Sequence, residues 1–383
     1  MDKFWAFALV VYAIGVGCSQ SLMSAGGTLI SLASFWGLLF KFPKDSYSKR
    51  LCFFIAAWVL YSFANHLVRG WGPYTSEALK NMPLFLVLIY PLVGLKPKEH
   101  SLALIFSFYS GAVLASVLYS SYQFFYLKYY GMGFFHNQIY FAYNLLPGFF
   151  FFSELSIKER RIDFWKPLYS RALVAIIFLG IFTTNNRMSS LIVLLYILFR
   201  ALPWVHRKWG SKTLALVSLL LFGFFIAIYL LNPFVYDKIS QTMMGLRDVS
   251  VKSRLYAWTE NWKIFLKNPL FGVGFSNNAL DSSNFKDFQG HLIPGRAIYA
   301  HSIYFQHLAD SGIFGALLLF GSLVMLMFYN SITLVVVGGV LFAGITENIF
   351  NNSKPFHAFL FFTLLSLSIE SSKLRRTRSA GGR

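Results

Sequence analysis

The chain of 383 residues is short of charge, and shortest of acid: charged residues make up 13%, with only 15 Asp and Glu against 34 Lys and Arg. A water-soluble domain clothes its surface with about a quarter charged residues, so an ordinary cytosolic enzyme is excluded. Two cysteines exclude a secreted disulfide scaffold, and Cys18 and Cys52 read as small residues in apolar runs. Also absent are HExxH, Asp-x-Asp, and any Gly-rich phosphate loop closing on Lys-Ser or Lys-Thr. A divalent-metal glycosyltransferase or hydrolase and a P-loop nucleotide enzyme are thereby disfavoured, and no metal or cofactor is expected.

What is present is hydrocarbon: 56% hydrophobic residues, 43 of them Phe, and a mean hydropathy of +0.55. Disorder is excluded, and the solvent is lipid. Apolar runs near bilayer length predict an all-α polytopic membrane helix bundle of about twelve spans. Residues 1–18 read as an uncleaved first helix rather than a leader, since a single Lys precedes the apolar run and many more runs follow. Residues 1–232 hold spans one to nine, the fourth at 82–95 and the ninth at 213–232. Residues 233–301 form a large external loop, 302–370 carry spans ten to twelve, and 371–383 form a basic tail.

With the N-terminus inside, the cytoplasmic segments hold 21 of the 34 cations, and the short outer loops hold only Arg69, Lys80, Lys128, Arg187 and Lys354. Positive residues mark the cytoplasmic side, so both termini are expected there. The formal charge of +19 therefore sets topology and implies no nucleic acid. The other eight cations lie in 233–301, which parity places outside.

Within that loop, 253–268 (SRLYAWTENWKIFLKN) predicts an amphipathic helix. Leu255, Trp258, Trp262, Phe265 and Leu266 recur on one face, with Thr259, Glu260, Lys263 and Lys267 opposite. Ser253 can cap its start, and Asn268-Pro269 ends it. It either lies in the headgroup layer or packs on top of the bundle, and both fix Arg254 at the outer surface.

Ionisable groups at membrane depth or at its outer edge are functional candidates: His136, Arg187, Arg254, Arg296, His301, His307, Asp310 and Glu347. Arg187 occupies a tight outer turn, where capping helix carbonyls is the alternative role. His301 and His307, six residues apart, would point about 240° apart on a helix, unlike a zinc pair. Tyr256 and Trp258 offer a sugar platform or simply packing. Asp310 reads as helix-structuring, Glu347 as the partner of a buried Arg, and Arg296 as a phosphate contact or a solvated turn. Arginine grips a diphosphate with a fork of donors and keeps its charge, while histidine takes a proton near neutrality. Transfer from a polyprenyl pyrophosphate suits this set.

Three stretches carry a family resemblance: Thr183-Thr184-Asn185-Asn186-Arg187-Met188-Ser189-Ser190; Ser253-Arg254 with Trp258 and then Asn268-Pro269-Leu270-Phe271-Gly272-Val273-Gly274; and His301 through Gly315 (HSIYFQHLADSGIFG). In order and spacing they resemble the O-antigen ligase and polymerase superfamily of bacterial envelope glycan enzymes. Asn186 stands where Ser is commoner, Ser302 where Asn is, and Asp310 where Glu is.

The resemblance implies a GT-C-like fold with a periplasmic loop, in the bacterial inner membrane. It implies that Arg187 and Arg254 bind the donor diphosphate and that His301 activates the acceptor. The implied reaction is metal-independent, inverting transfer of an undecaprenyl-pyrophosphate-linked glycan to lipid A-core, with membrane lipids as surroundings. A repeat-unit polymerase or a protein O-oligosaccharyltransferase shares the chemistry. A lipid-linked sugar flippase is the non-enzymatic alternative, for which no internal repeat was found.

Overall fold

In the computed structural model, residues 2–41, 43, 45–69, 81–95, 97, 99–135, 137–158, 167–200, 223, 249–274, 300–348, 350 and 353–380 are described. Among them the regular elements are all helical. They are α1 (Asp2–Cys18), α2 (Gln20–Phe40), α3 (Ser46–Arg69), α4 (Met82–Leu92), α5 (Glu99–Phe125), α6 (Gln138–Lys158), α7 (Pro167–Thr183), α8 (187–200), α9 (Val249–Lys267), α10 (Ile303–Met327), α11 (Ser331–Ala343) and α12 (Ser353–Ala380). Among the described residues, four helices are long and apolar enough to cross a membrane: Gln20–Phe40, Ser46–Arg69, His100–Phe125 and Ile303–Met327. Shorter apolar helices include Phe4–Cys18, Leu168–Thr183, Ser331–Ala343 and Pro355–Ile369. The chain is a multi-pass helical membrane protein, and the expected ninth span at 213–232 lies outside the described residues.

The Phe surplus is spent where α6 and α12 cross. Phe151 and Phe152 of α6 are buried against Phe362 of α12 and Phe106 of α5, with Tyr109 of α5 stacked on Phe152. Edge-on and tilted ring pairs of this kind add directional attraction to the packing. Lipid faces are apolar too, as at Phe53, Leu60, Leu118 and Leu317, all exposed. In lipid the absence of water makes an apolar outer face the stable one.

The span expected at 82–95 takes a different form. Pro83 at its start and Pro91 near its end accompany a 3-10 helix over Met82–Leu88 and a single α-turn over Ile89–Leu92. At 1.5–2 Å per residue α4 covers roughly 20 Å, short of a full crossing. It is buried in the bundle against α2, α3 and α12.

The external amphipathic helix exists, but it starts four residues earlier than expected, at Val249, so Ser253 lies inside it and is no cap. A single Ser is a weak boundary when the residues before it also suit a helix. Its end is as read: Lys267 is the last helical residue, and Asn268 donates its N–H to the Ile264 and Phe265 carbonyls. The helix packs against α10, while Leu255, Trp262 and Leu266 of its apolar face stay exposed. Trp258 stacks on Phe305 with ring centres 5.4 Å apart, and Trp262 meets the same ring edge-on.

Candidate functional site

The site is built from three turns at one end of the bundle. The first joins α7 to α8. Thr184 ends α7 by donating its hydroxyl to the Ile181 carbonyl, and Asn185 turns the chain in the left-handed region at φ 53°. Asn186 then caps α8: its side-chain oxygen accepts from the Ser189 N–H at 3.0 Å. Asn and Ser are both strong helix caps, so Asn186 fills a role that Ser also can. Arg187 is the first residue of α8 and is half-buried. The turn is braced by the 126–137 loop, since the Gly131 N–H donates to the Thr183 carbonyl at 2.9 Å and the Ser120 and Thr183 hydroxyls meet at 2.6 Å.

The second turn, 268–274, interlocks with α10. Val273 and Gly274 donate N–H groups to the carbonyls of Ala309 and Asp310 at 3.0 and 2.8 Å, and Ile313 donates back to the Pro269 carbonyl at 2.9 Å. Two glycines make this possible. Gly272 and Gly312 both have positive φ, and a Cβ on either would overlap the backbone of the other strand, at Asp310 and Leu270 respectively. Gly312 breaks helical geometry inside α10 with φ 62° and ψ −167°, and the carbonyls it releases are taken up: Ser311 accepts from the Tyr61 hydroxyl at 2.6 Å. Asn65 of α3 donates to the Phe271 carbonyl at 2.7 Å. Sequence reading missed this joint; its signal is Gly272-Val273-Gly274, with both glycines at positive φ.

The third turn follows α11, and here the catalytic candidate acquires a partner. The Gly344 carbonyl accepts from the Ile303 N–H at 2.9 Å, which ties the end of α11 to the start of α10. Three residues on, the Glu347 carboxylate lies 3.5 Å from Nδ1 of His301. Glu347 is buried, while the His301 side chain is 44% exposed, so one face of the ring is held and the other is accessible. His301 itself has φ 47°, uncommon for a non-glycine residue. Its backbone is anchored next door: the Ala300 N–H donates to the Gln306 side chain at 2.9 Å, and Gln306 donates to both oxygens of the buried Asp310 at 3.0 Å. Asp310 thus supports the His301 turn through Gln306, as its helix-structuring reading expected. Glu347 was expected to pair an arginine; its ion-pair contact is His301.

Arg254 joins this group from α9. Tyr143 of α6 lies beside Thr346 and within electrostatic range of both Glu347 and Arg254. The stacking of Trp258 on Phe305 and the contacts of 269–270 with 313–314 run α9 and α10 side by side in the same direction. Arg254 and His301 each lie four residues before the stacked pair. Arg254 is half-buried, and its Nε is buried without an acceptor among the described residues. A buried charged donor of this kind is costly unless an anion meets it.

The remaining candidates divide. Tyr256, two residues from Arg254, lies about 200° around the helix from it. It sits with Glu260 and Lys263, where burial and then the Glu260 carboxylate push its phenol up. Lys263 is raised by its hydrogen bond to Glu260, at 2.8 Å. Trp258 is engaged with Phe305 as packing. His307 is fully buried beside Trp58 and Phe350, away from any shared face with His301, which precedes the helix. Arg296 and His136 lie outside the described residues.

The family model described as O-Antigen ligase matches residues 172–320. Over that stretch the chain resembles O-antigen ligases. Arg187, Arg254 and His301 all fall within the match, together with the 268–274 and 309–314 joint. Glu347 lies beyond it, supplied by the helical layer that follows. No curated protein matches the chain. Ligase-type or polymerase-type glycosyl transfer is the activity class of this family domain, and lipid-linked glycan with an acceptor is its substrate class.

Proposed function

We propose that the protein is an O-antigen ligase of the bacterial inner membrane, moving a polysaccharide from undecaprenyl pyrophosphate to a sugar hydroxyl of lipid A-core on the periplasmic side. The observation that carries this reading is the 3.5 Å approach of the buried Glu347 carboxylate to His301, at the start of the helix against which α9, the helix of Arg254, is packed.

In the proposed reaction His301 uses the ring face away from Glu347 to take the proton of the acceptor hydroxyl, while that oxygen attacks the anomeric carbon of the donor. The bond from the anomeric carbon to the diphosphate breaks, and its electron pair leaves with the pyrophosphate. A single displacement inverts the configuration. Glu347, 3.5 Å from Nδ1, stabilises the imidazolium as it forms, the role a buried carboxylate plays behind a general base. Arg254 offers its fork of donors to the diphosphate as charge builds there, and Arg187 offers a second from the α7–α8 turn of the same bundle end.

The test is reconstitution of the full chain with lipid-linked polysaccharide and lipid A-core, without an energy source. Transfer of one glycan per acceptor is expected, with Arg254→Ala or His301→Ala reducing it by about 10²–10⁴-fold. Wild-type rates in either variant would sink the mechanism. A ladder growing on the lipid carrier would make the protein a polymerase, and movement of donor across the bilayer without transfer would make it a flippase.

A further inference from the structure

A second site lies at the opposite end of α6, α7 and α8 from the Arg187 turn. A cavity of about 580 Å³ opens there between the three helices. Its position follows from the helix ends. Ser156 is two residues from the end of α6, Arg171 is in the first turns of α7, and Arg200 is the last described residue of α8. Arg187 joins the other ends of α7 and α8, so the two sites are separated by the length of α7, roughly 25 Å.

The inner wall is apolar, formed by Phe149, Val174, Phe178 and Ile197, and the rim carries Ser156, Arg171 and Arg200. Arg200 is not a free surface cation. Glu154, with no exposed surface, accepts on one carboxylate oxygen from Arg200 and from the Tyr196 hydroxyl. Those two bonds fix the guanidinium at the cavity mouth, with its Nε buried and lacking an acceptor among the described residues. Glu154 also cancels one positive charge, which leaves the exposed Arg171 as the surplus cation among the described residues of the rim.

One net positive charge, a second fixed guanidinium and an apolar trough behind them define the complementary ligand: a single negative headgroup on a hydrocarbon chain. We propose that this cavity binds one anionic diacylphospholipid, with an acyl chain against Phe149 and Phe178 and the phosphate between Arg171 and Arg200. A free phosphate would gain nothing from the aromatic wall, and a neutral lipid would leave Arg171 uncompensated. The volume suits a small-molecule site, and basic pockets between helices on the cytoplasmic side are where anionic headgroups are held. The charge pattern of the loops puts this end in the cytoplasmic leaflet.

The experiment is native mass spectrometry of the purified full chain with phosphatidylglycerol or phosphatidylethanolamine of identical chains. Phosphatidylglycerol should bind about tenfold more tightly, a difference of about 1.4 kcal/mol. Arg171→Gln should bring the two lipids to within about twofold of each other without changing the unfolding midpoint of the lipid-free protein. Ala175→Phe, which fills the trough, should weaken both. Arg200 is left alone, because removing it would strand Glu154. Equal binding of the two lipids by the wild type, a preference that survives Arg171→Gln, or competition by inorganic phosphate alone at lipid-like concentrations would each overturn the proposal.

Discussion

At the scale of single residues, Glu347 is where packing changes the chemistry most. A histidine side chain in solution turns freely; here a buried carboxylate lies 3.5 Å from Nδ1 of His301. Glu347→Gln keeps the shape and removes the charge. It should lower the turnover rate about tenfold or more with little change in apparent affinity, as read by initial rates against acceptor concentration. Gly312 tests the joint rather than the chemistry. Its φ and ψ belong to a glycine-only region, and a side chain would collide with Leu270 backbone. Gly312→Ala should cost on the order of 3 kcal/mol, seen as a lower unfolding midpoint in detergent. His301 and Arg254 could be found in the sequence because unpaired ionisable groups are rare in such a chain. The partner of His301 could not, since nothing local links residue 301 to residue 347; the link is the Gly344 carbonyl on the Ile303 N–H.

At the scale of elements, the α7–α8 turn shows how a motif can serve backbone geometry first. Asn186 closes the first turn of α8 and so aims Arg187. Asn186→Ala should cost about 1 kcal/mol and lower transfer, whereas Asn186→Ser should retain both, as measured by melting and by rate. This substitution from the commoner form was readable as conservative because both side chains cap. The start of α9 was not readable, because helix propensity falls off gradually before Ser253, while its end was, because Asn268-Pro269 stops a helix outright. α4 was misjudged for a related reason. Its hydrophobicity matched a span, but Pro83 and Pro91 make a short, buried, mixed helix of it.

At the scale of the whole molecule, composition and the period of the apolar runs were enough for the class, since a chain this poor in charge has no soluble alternative. They could not show which helices touch. Sidedness is predicted by the loops: in a chain with Cys18 and Cys52 replaced, Lys128→Cys should react with an impermeant maleimide on intact cells, and Ser379→Cys only after lysis. Labelling of both from outside would reverse the orientation. The Glu154–Arg200 pair also bears on how such a chain is made. The two residues are 46 positions apart, so a nascent chain presents the carboxyl of α6 to the translocon before its counter-ion has been synthesised. α6 must then enter protonated or wait for α8, and the three helices α6, α7 and α8 become a unit of insertion. A chain truncated after Thr183 should leave α6 poorly integrated and extractable with alkali, while one extended beyond Arg200 should not.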